Sequence, residues 1–353
     1  MKWEVSILAA AMAASAISCS DSHDEGNVPV TDQAITFTAT VPKARRAVTT
    51  TNTINNFKVW AFANGEHYMG ENGVEVEKIG EKWSSNPVIY WPVEGSLNFF
   101  SISPTIKTAT PNSPDNPNIP DFINTGKTDL LYAVNMNESR KSSNVRNNQL
   151  VVNFHHALSQ VNFKCTRKRD DIKVVIHGLS LDGIKSIGSF DFPKETTGAN
   201  ITSDETRGTW SDLKYMENIP VYDDPASVTL TDAAPEATPN NTGYIFAIPQ
   251  PLEEAVKTTD GYTGSCVKLL CEIYDESSDT KIWPAKTDTN YDAATGAAYI
   301  VFPLKTAVTT SWDTGRRYIY TLKIDVPEDG SGKIDFDITV DDYQNYDDAP
   351  DML

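Results

Sequence analysis

The chain has 353 residues and a formal net charge of −18 at pH 7. This acidity argues against a nucleic-acid partner, because nucleic acids reward Lys and Arg on the protein surface. The length predicts about two domains after a leader segment is set aside.

The first 18 residues contain the short apolar run "VSILAAAMAASAIS". A helix needs about 20 apolar residues to span a bilayer, so this run has the proportions of a signal peptide. The stretch "AISC", which ends at Cys19, resembles a bacterial lipobox. In a lipobox the Cys is acylated, with palmitate as an expected acyl group, and becomes the new N-terminus. We expect residues 1–18 to be a lipoprotein signal peptide; an ordinary secretory signal with a chance Cys is the alternative.

Residues 19–32 are polar and acidic, with the stretch "SDSHDEGN" directly after Cys19. Such a composition predicts a flexible tether. Acidic residues at this position resemble the export signals of surface-exposed lipoproteins in some Gram-negative anaerobes. We therefore expect the chain to be held on the outer membrane, facing outward, through lipid on Cys19.

Most of the remaining chain alternates apolar and polar residues with a period of two. Examples are "AITFTATV" (34–41), "FKVWAFA" (57–63), "VKLLCEIY" (267–274) and "KIDFDITV" (333–340). About a dozen such runs, rich in β-branched and aromatic residues and separated by Pro, Gly, Asn and Asp, predict an all-β protein of sandwich domains.

The polar segment 137–149 is the best candidate for the domain boundary. It gives an N-terminal domain over 33–147 and a C-terminal domain over 148–353, and a boundary some ten residues to either side is the alternative. Two further segments stand out: 104–122 is rich in Pro and polar residues, and 193–228 is largely polar. The first predicts a long exposed loop, and the second predicts little regular structure.

The sequence offers no pattern typical of a catalytic or metal site. The neighbours His155 and His156 would point to opposite faces of a strand and so would not share a metal. No nucleophile, base or metal-ligand spacing is present, so we expect neither an enzyme nor a bound metal or cofactor. With Cys19 acylated, Cys165, Cys266 and Cys271 remain, and this odd number argues against a disulfide framework. Cys266 and Cys271 would face opposite sides of a strand, and we expect them to pack as small buried apolar residues.

Five segments in order resemble the fimbrillin family, the pilins of type V pili and the related fimbrillin-like lipoproteins. They are "KWSSNPVIYWPVEGSLNFFSISP" (82–104), "TDLLYA" (128–133), "VNFHHALSQVNFKC" (152–165), "YIFAIPQ" (244–250) and "WDTGRRYIYTLKI" (312–324). The resemblance spans the chain from the lipobox onward. It implies two transthyretin-like (Ig-like) β-sandwich domains in tandem.

The resemblance also implies an assembly mechanism. A lipoprotein precursor reaches the outer membrane, an Arg-specific protease cuts after the first strand, and a C-terminal strand of the next fimbrial subunit fills the exposed groove. The removable strand would be 34–41, with an apolar face of Ile35, Phe37, Ala39 and Val41. The cut would fall between Arg46 and Ala47, in the basic stretch after that strand. A simple basic loop that is never cut is the alternative.

The candidate donor lies in the segment 333–353. Its alternating strand would present Ile334, Phe336, Ile338 and Val340 on one face. Equally, this strand could belong to the second domain's own sheet, with the acidic residues after Val340 as an extension. The implied role is a structural or accessory subunit of a fimbria, including a tip position, that contributes to adhesion. The alternative is a lipid-anchored surface protein that does not polymerise and binds a glycan or host ligand through Trp210, Tyr262 and Trp283.

Overall fold

The computed structural model describes residues 34–41, 53–106, 117–199, 207–215, 219–222, 227–239, 244–259, 261–288, 290–327 and 336–342. All regular structure in these ranges is β-strand, which confirms the predicted fold class. No helix within them is long and apolar enough to cross a bilayer.

The strands of the first half form two sheets. They are β1 (Thr36–Thr40), β2 (Asn56–Ala63), β3 (Glu66–His67), β4 (Val74–Ile79), β5 (Lys82–Asn86), β6 (Leu97–Ser103), β7 (Asn118–Ile123), β8 (Leu131–Glu138), β9 (Val145–Arg146), β10 (Gln149–Asn153) and β11 (His155–His156). One sheet has the order β1-β10-β9, and the other has the order β11-β8-β6-β2-β4-β5 with β3 beside β2. Only β7 joins a different sheet.

The strands of the second half continue from β12. They are β12 (Ser159–Arg167), β13 (Ile172–Asp182), β14 (Lys185–Asp191), β15 (Thr209–Tyr215), β16 (Ile219–Tyr222), β17 (Val228–Leu230), β18 (Glu236–Ala237), β19 (Ile245–Ala247), β20 (Gln250–Pro251), β21 (Val256–Thr258), β22 (Gly261–Thr263), β23 (Cys266–Asp275), β24 (Lys281–Trp283), β25 (Ala298–Pro303), β26 (Ser311–Trp312), β27 (Arg316–Ile324) and β28 (Phe336–Asp342). One main sheet runs β18-β12-β27-β28 with β19 beside β12. The other runs β16-β13-β23-β24 with β17 and β25 at its sides.

Each pair of facing sheets encloses a hydrophobic core, so the protein contains two β-sandwiches. The first core combines the inner faces of β1 and β10 with those of β2, β4, β6 and β8. The second combines β12 and β27 with β13, β23 and β25. In both, alternate residues of a strand point inward, as the period-two pattern requires.

The sandwiches are joined by a third apolar cluster, which we call the interdomain cluster. Its members come from β2, β6, β7, β8, β14 and their neighbours, and include Trp60, Phe100, Tyr132, Phe190 and Ile248. Both faces of β2 are therefore buried: Val59 points into the first core and Trp60 into the interdomain cluster. A three-stranded sheet in the order β15-β14-β7 covers this side, so strands from both halves of the chain hydrogen-bond to each other.

Two predicted loops contain strands. The segment 104–122 includes most of β7, whose Ile119 and Phe122 are buried, so the expectation of an exposed loop was wrong there. The segment 193–228 contains β15 and β16 and ends at the first residue of β17. The interdomain cluster stabilises β7 and β15, and pairing with β13 stabilises β16. Local sequence does not reveal these distant partners.

The predicted boundary between residues 147 and 148 lies between β9 and β10. These two strands pair with each other, and β10 also pairs with β1. The chain leaves the first core about ten residues later, where Ala157 and Leu158 enter the interdomain cluster.

Candidate functional site

The first strand lies at the edge of its sheet. In the described part of the chain, its ladder partner is β10, which runs parallel to it from Thr36 opposite Gln149 to Thr40 opposite Asn153. Two side-chain hydrogen bonds support the pairing: Thr36 Oγ1 donates to Asn148 O at 2.6 Å, and Thr40 Oγ1 donates to Asn153 Oδ1 at 2.7 Å. Both bonds join residues more than a hundred positions apart.

The inner face of β1 is buried as predicted from its alternation. Ile35 and Phe37 are each 1% exposed, and Ala39 and Val41 are each 4% exposed. The Phe37 ring makes edge-to-face contacts with Phe57 at 5.6 Å and with Phe99 at 6.5 Å between ring centroids. We call the surface that β1 covers the β1 groove; it comprises Phe57, Phe99, Leu150, Val152 and the backbone of Ile89.

The N-terminal end of β1 meets the segment 87–93. Ile35 N donates to Ile89 O at 2.7 Å, and Ala34 forms an antiparallel bridge with Tyr90. This segment exposes large apolar side chains: Val88 is 54%, Tyr90 41% and Val93 97% exposed. Tyr68, at 36% exposed, donates its hydroxyl to Tyr90 O at 2.9 Å.

The last strand forms part of the second sandwich. β28 pairs antiparallel with β27 from Phe336 opposite Leu322 to Asp342 opposite Arg316, as expected for a hairpin. Among the described strands it lies at the edge of its sheet. The candidate donor residues Phe336, Ile338 and Val340 therefore lie on an edge strand of their own domain, and Ile334 lies outside the described residues.

Three other predicted positions also lie outside the described residues: the lipidation site Cys19 and the cleavage pair Arg46 and Ala47. Between the end of the first strand and the start of the second, the description stops at Val41 and resumes at Thr53. The predicted cleavage site thus falls in the connection between these strands.

The residues of the glycan-binding alternative do not form a common surface. Trp283 is 6% exposed and belongs to the second core. Trp210 packs on Phe122 and Phe190 and donates its Nε1 to Ala157 O at 2.8 Å. Tyr262 lies in the separate two-stranded sheet of β21 and β22.

The adjacent histidines have different partners. His155 Nε2 donates to Gly198 O at 2.8 Å, whereas His156 Nδ1 bonds Asp129 Oδ1 at 2.9 Å, and both imidazoles are fully buried. Within the described ranges, no group of three or more His, Cys, Asp or Glu side chains is placed to hold a metal.

The three cysteines after Cys19 are free and buried, as predicted for Cys266 and Cys271. Burial raises the pKa of Cys165 to about 12, and burial with the nearby Asp182 carboxylate raises the pKa of Cys266 to about 12. Burial likewise raises the pKa of Cys271 well above its ordinary value. Burial of all three thiols thus disfavours the thiolate that nucleophilic chemistry needs.

One polar network lies on the second sandwich. Glu272 accepts hydrogen bonds from Tyr274 at 2.9 Å and Lys281 at 2.5 Å, and bonds His177 Nε2 at 2.8 Å. Burial by itself would raise the pKa of Glu272, but the bonds from Lys281, His177 and Tyr274 outweigh it and lower that pKa.

A family model described as fimbrillin-like matches residues 43–342 of this chain. No protein of curated function matches the sequence. A fimbrial protein from Bacteroides vulgatus has a similar structure, with a TM-score of 0.58 at 14% identity over 88% of this chain and 99% of that chain. At that identity the likeness shows a shared fold. A fimbrilin from Porphyromonas gingivalis aligns with a TM-score of 0.47 at 10% identity over 88% of this chain and 96% of that chain.

Proposed function

Because this chain belongs to the fimbrillin-like family, we propose that it is a structural or accessory subunit of a type V-like fimbria, the accessory roles including the tip. It assembles by proteolytic loss of its first strand and donor-strand exchange, and it contributes to adhesion. Its partners are other fimbrial subunits and an Arg-specific protease. Before processing, lipid on Cys19 holds the chain on the outer membrane, exposed to the exterior.

The position of β1 carries this proposal. Its inner face is almost fully buried in the first core, yet among the described strands its backbone ladder is with β10 alone. A strand held this way can leave without breaking the sheet of β2, β6 and β8 behind it. The sequence places Arg46 five residues after Val41, so a cut there would separate β1 from the rest of the subunit.

Loss of β1 exposes the apolar β1 groove to water, so the binding of a new strand in that groove is favourable. Each large apolar side chain returned to the groove stabilises the assembly by about 1.5–3 kcal/mol. The edge of β10 that β1 leaves supplies backbone donors and acceptors for a new strand, as in other cases of β-strand addition.

The proposed donor is β28 of a neighbouring subunit. As an edge strand, it can exchange its antiparallel pairing with β27 for pairing with the neighbour's β10 without disturbing an interior strand. The exchange replaces one backbone ladder by another, so its free energy depends mainly on the apolar side chains that fill the β1 groove.

The test is the N-terminal sequence and intact mass of the protein recovered from the surface of the producing cell. We expect a chain that begins at Ala47 and runs as detergent-resistant multimers. A chain that still begins at acylated Cys19 and stays monomeric would contradict the polymerising role and favour an anchor or a surface binder.

A matched pair of variants sharpens this test. The double variant R45A/R46A removes the proposed cleavage residues and should accumulate as uncut precursor. The variant K43A changes a basic residue of the same stretch and should be processed normally. Equal processing of all three proteins would contradict the assigned cleavage site.

A further inference from the structure

We infer that β28 of a second copy of this chain enters the β1 groove in the same direction as β1, with Phe336 in the place of Phe37, and that the donor subunit then contacts the exposed patch Tyr68, Val88, Tyr90 and Val93. This inference rests on the proposed strand exchange and specifies its partner, direction and register.

The first observation is a match between the two strands. Residues 35–41 read "ITFTATV", and residues 334–340 read "IDFDITV". Aligned in the same direction, the two share Ile, Phe, Thr and Val at identical spacing, which is four of seven positions. All inner-face residues are identical except at Ala39, where the donor has Ile338. The candidate donor strand thus repeats the sequence of the strand that it would replace. We therefore expect the donor and the acceptor to be two copies of the same chain.

The direction follows from the fit of the inner face. In the same direction, the Phe336 ring takes the place of Phe37 between Phe57 and Phe99. In the opposite direction, Phe336 would fall on Ala39, which is 4% exposed and has a methyl group in a packed core. Placing an aromatic ring there would overpack the core, whereas Ile338 is the smaller addition.

The outer face of the donor strand also matches that of β1 near the C-terminal end of the strand. Thr339 aligns with Thr40, whose hydroxyl donates to Asn153 Oδ1 at 2.7 Å. The same hydrogen bond can therefore form between the donor's Thr339 and the acceptor's Asn153.

The contact with the exposed patch follows from the direction in which the donor strand enters the β1 groove. With residue 334 at the place of Ile35, the donor chain reaches the groove beside Ile89 and Tyr90. Only residues 325–333 connect this point to the donor's β27, a span of at most about 35 Å when extended. The donor's second sandwich is thereby held within that span of the patch, which contains four of the eleven large apolar side chains exposed in the described residues.

Disulfide trapping tests the direction with two matched variants. In the same direction Thr339 lies opposite Asn153, so the N153C/T339C protein should form covalent multimers when it is cut after Arg46, assembled and oxidised. In the opposite direction Thr339 would take the place of Thr36, opposite Gln149, so the Q149C/T339C protein should form none. The native cysteines after Cys19 are buried and should not interfere. The uncut chains are the control for linkage without exchange.

The outcomes separate this inference from the proposed function. Covalent multimers of Q149C/T339C, or detergent-resistant multimers without any N153C/T339C link, would overturn the inference and leave strand exchange standing. Failure of the cut chain to form multimers at all would overturn both.

A second pair of variants tests the patch. Val93→Asp changes a side chain that is 97% exposed, so the monomer should unfold at an unchanged temperature while multimers form several-fold more slowly. Ile79→Asp is the control: Ile79 is 66% exposed in the same sandwich, at the opposite end of the β4–β5 hairpin from segment 87–93. Unchanged assembly of Val93→Asp, or slower assembly of Ile79→Asp alone, would overturn the contact.

Discussion

The strands β1 and β12 occupy similar places in the two sandwiches but are held differently. Each runs parallel to a later strand, β1 to β10 and β12 to β27, and each points an aromatic ring into its core. However, β12 is also paired on its other edge, with β18 and β19. In the described strands β1 has its ladder on one edge only.

This difference shows how one chain can contain both a replaceable strand and a permanent one. Removing β12 would break its ladders with β18, β19 and β27 and split the sheet of the second sandwich, whereas removing β1 leaves the remaining first-sandwich sheets intact. The interdomain cluster lies on the opposite face of β2, β6 and β8 from β1. The connection between the sandwiches is therefore independent of the strand that the proposed assembly replaces.

The largest expected effect comes from the permanent strand. Phe163, which is 1% exposed and stacks on Tyr320 at 5.5 Å, is the inward aromatic of β12. Phe163→Ala should lower the free energy of unfolding by about 4 kcal/mol, because it leaves a cavity in the second core. Urea unfolding of the uncut chain measures this, and reduced multimer yield after cleavage should accompany it. A loss below about 1 kcal/mol would contradict the assigned packing.

The matched substitution in β1 should have a smaller effect on stability, and only in the uncut precursor. Phe37→Ala should lower the free energy of unfolding of the uncut chain by about 3 kcal/mol. It should leave the yield of multimers after cleavage at Arg46 unchanged, because the residue is then gone. Phe57→Ala, which alters the wall of the β1 groove, is the control and should reduce both stability and yield. A multimer yield reduced by Phe37→Ala alone would contradict removal of β1.

The smallest expected effect is a difference between the two sandwiches in how their stability depends on pH. The hydrogen bonds that hold β1 involve hydroxyl, amide and backbone groups, whereas the second sandwich contains the Glu272 network. The folded-state pKa of Glu272 is lowered from its ordinary 4.5, so its contribution to stability is present above that pH and is lost as the pH falls through the lower folded value.

Glu272→Gln should therefore flatten the decline in unfolding free energy below about pH 4.5. The measurement is a series of urea unfolding curves at decreasing pH, and Glu81→Gln, which changes an exposed carboxylate, is the control. Identical pH profiles for Glu272→Gln and the unmodified chain would contradict a stabilising role for the network.

Several features were predictable from local sequence. The alternation in "AITFTATV" predicts the inner face of β1, and the alternation in "KIDFDITV" predicts the strand β28. The same alternation failed at Ile119 and Trp210. Both lie among Pro, Gly and polar residues, and the interdomain cluster stabilises their strands.

The sequence by itself determined the all-β class and the buried face of alternating strands such as β1, because the period of two is a property of neighbouring residues. Only the tertiary structure decided that β10 is the partner of β1, that β7 joins β14, and that Trp210 packs against the interdomain cluster. Those pairings join residues far apart in the chain. They depend on which complete faces can bury each other, and that choice is made by the whole fold rather than by any one segment.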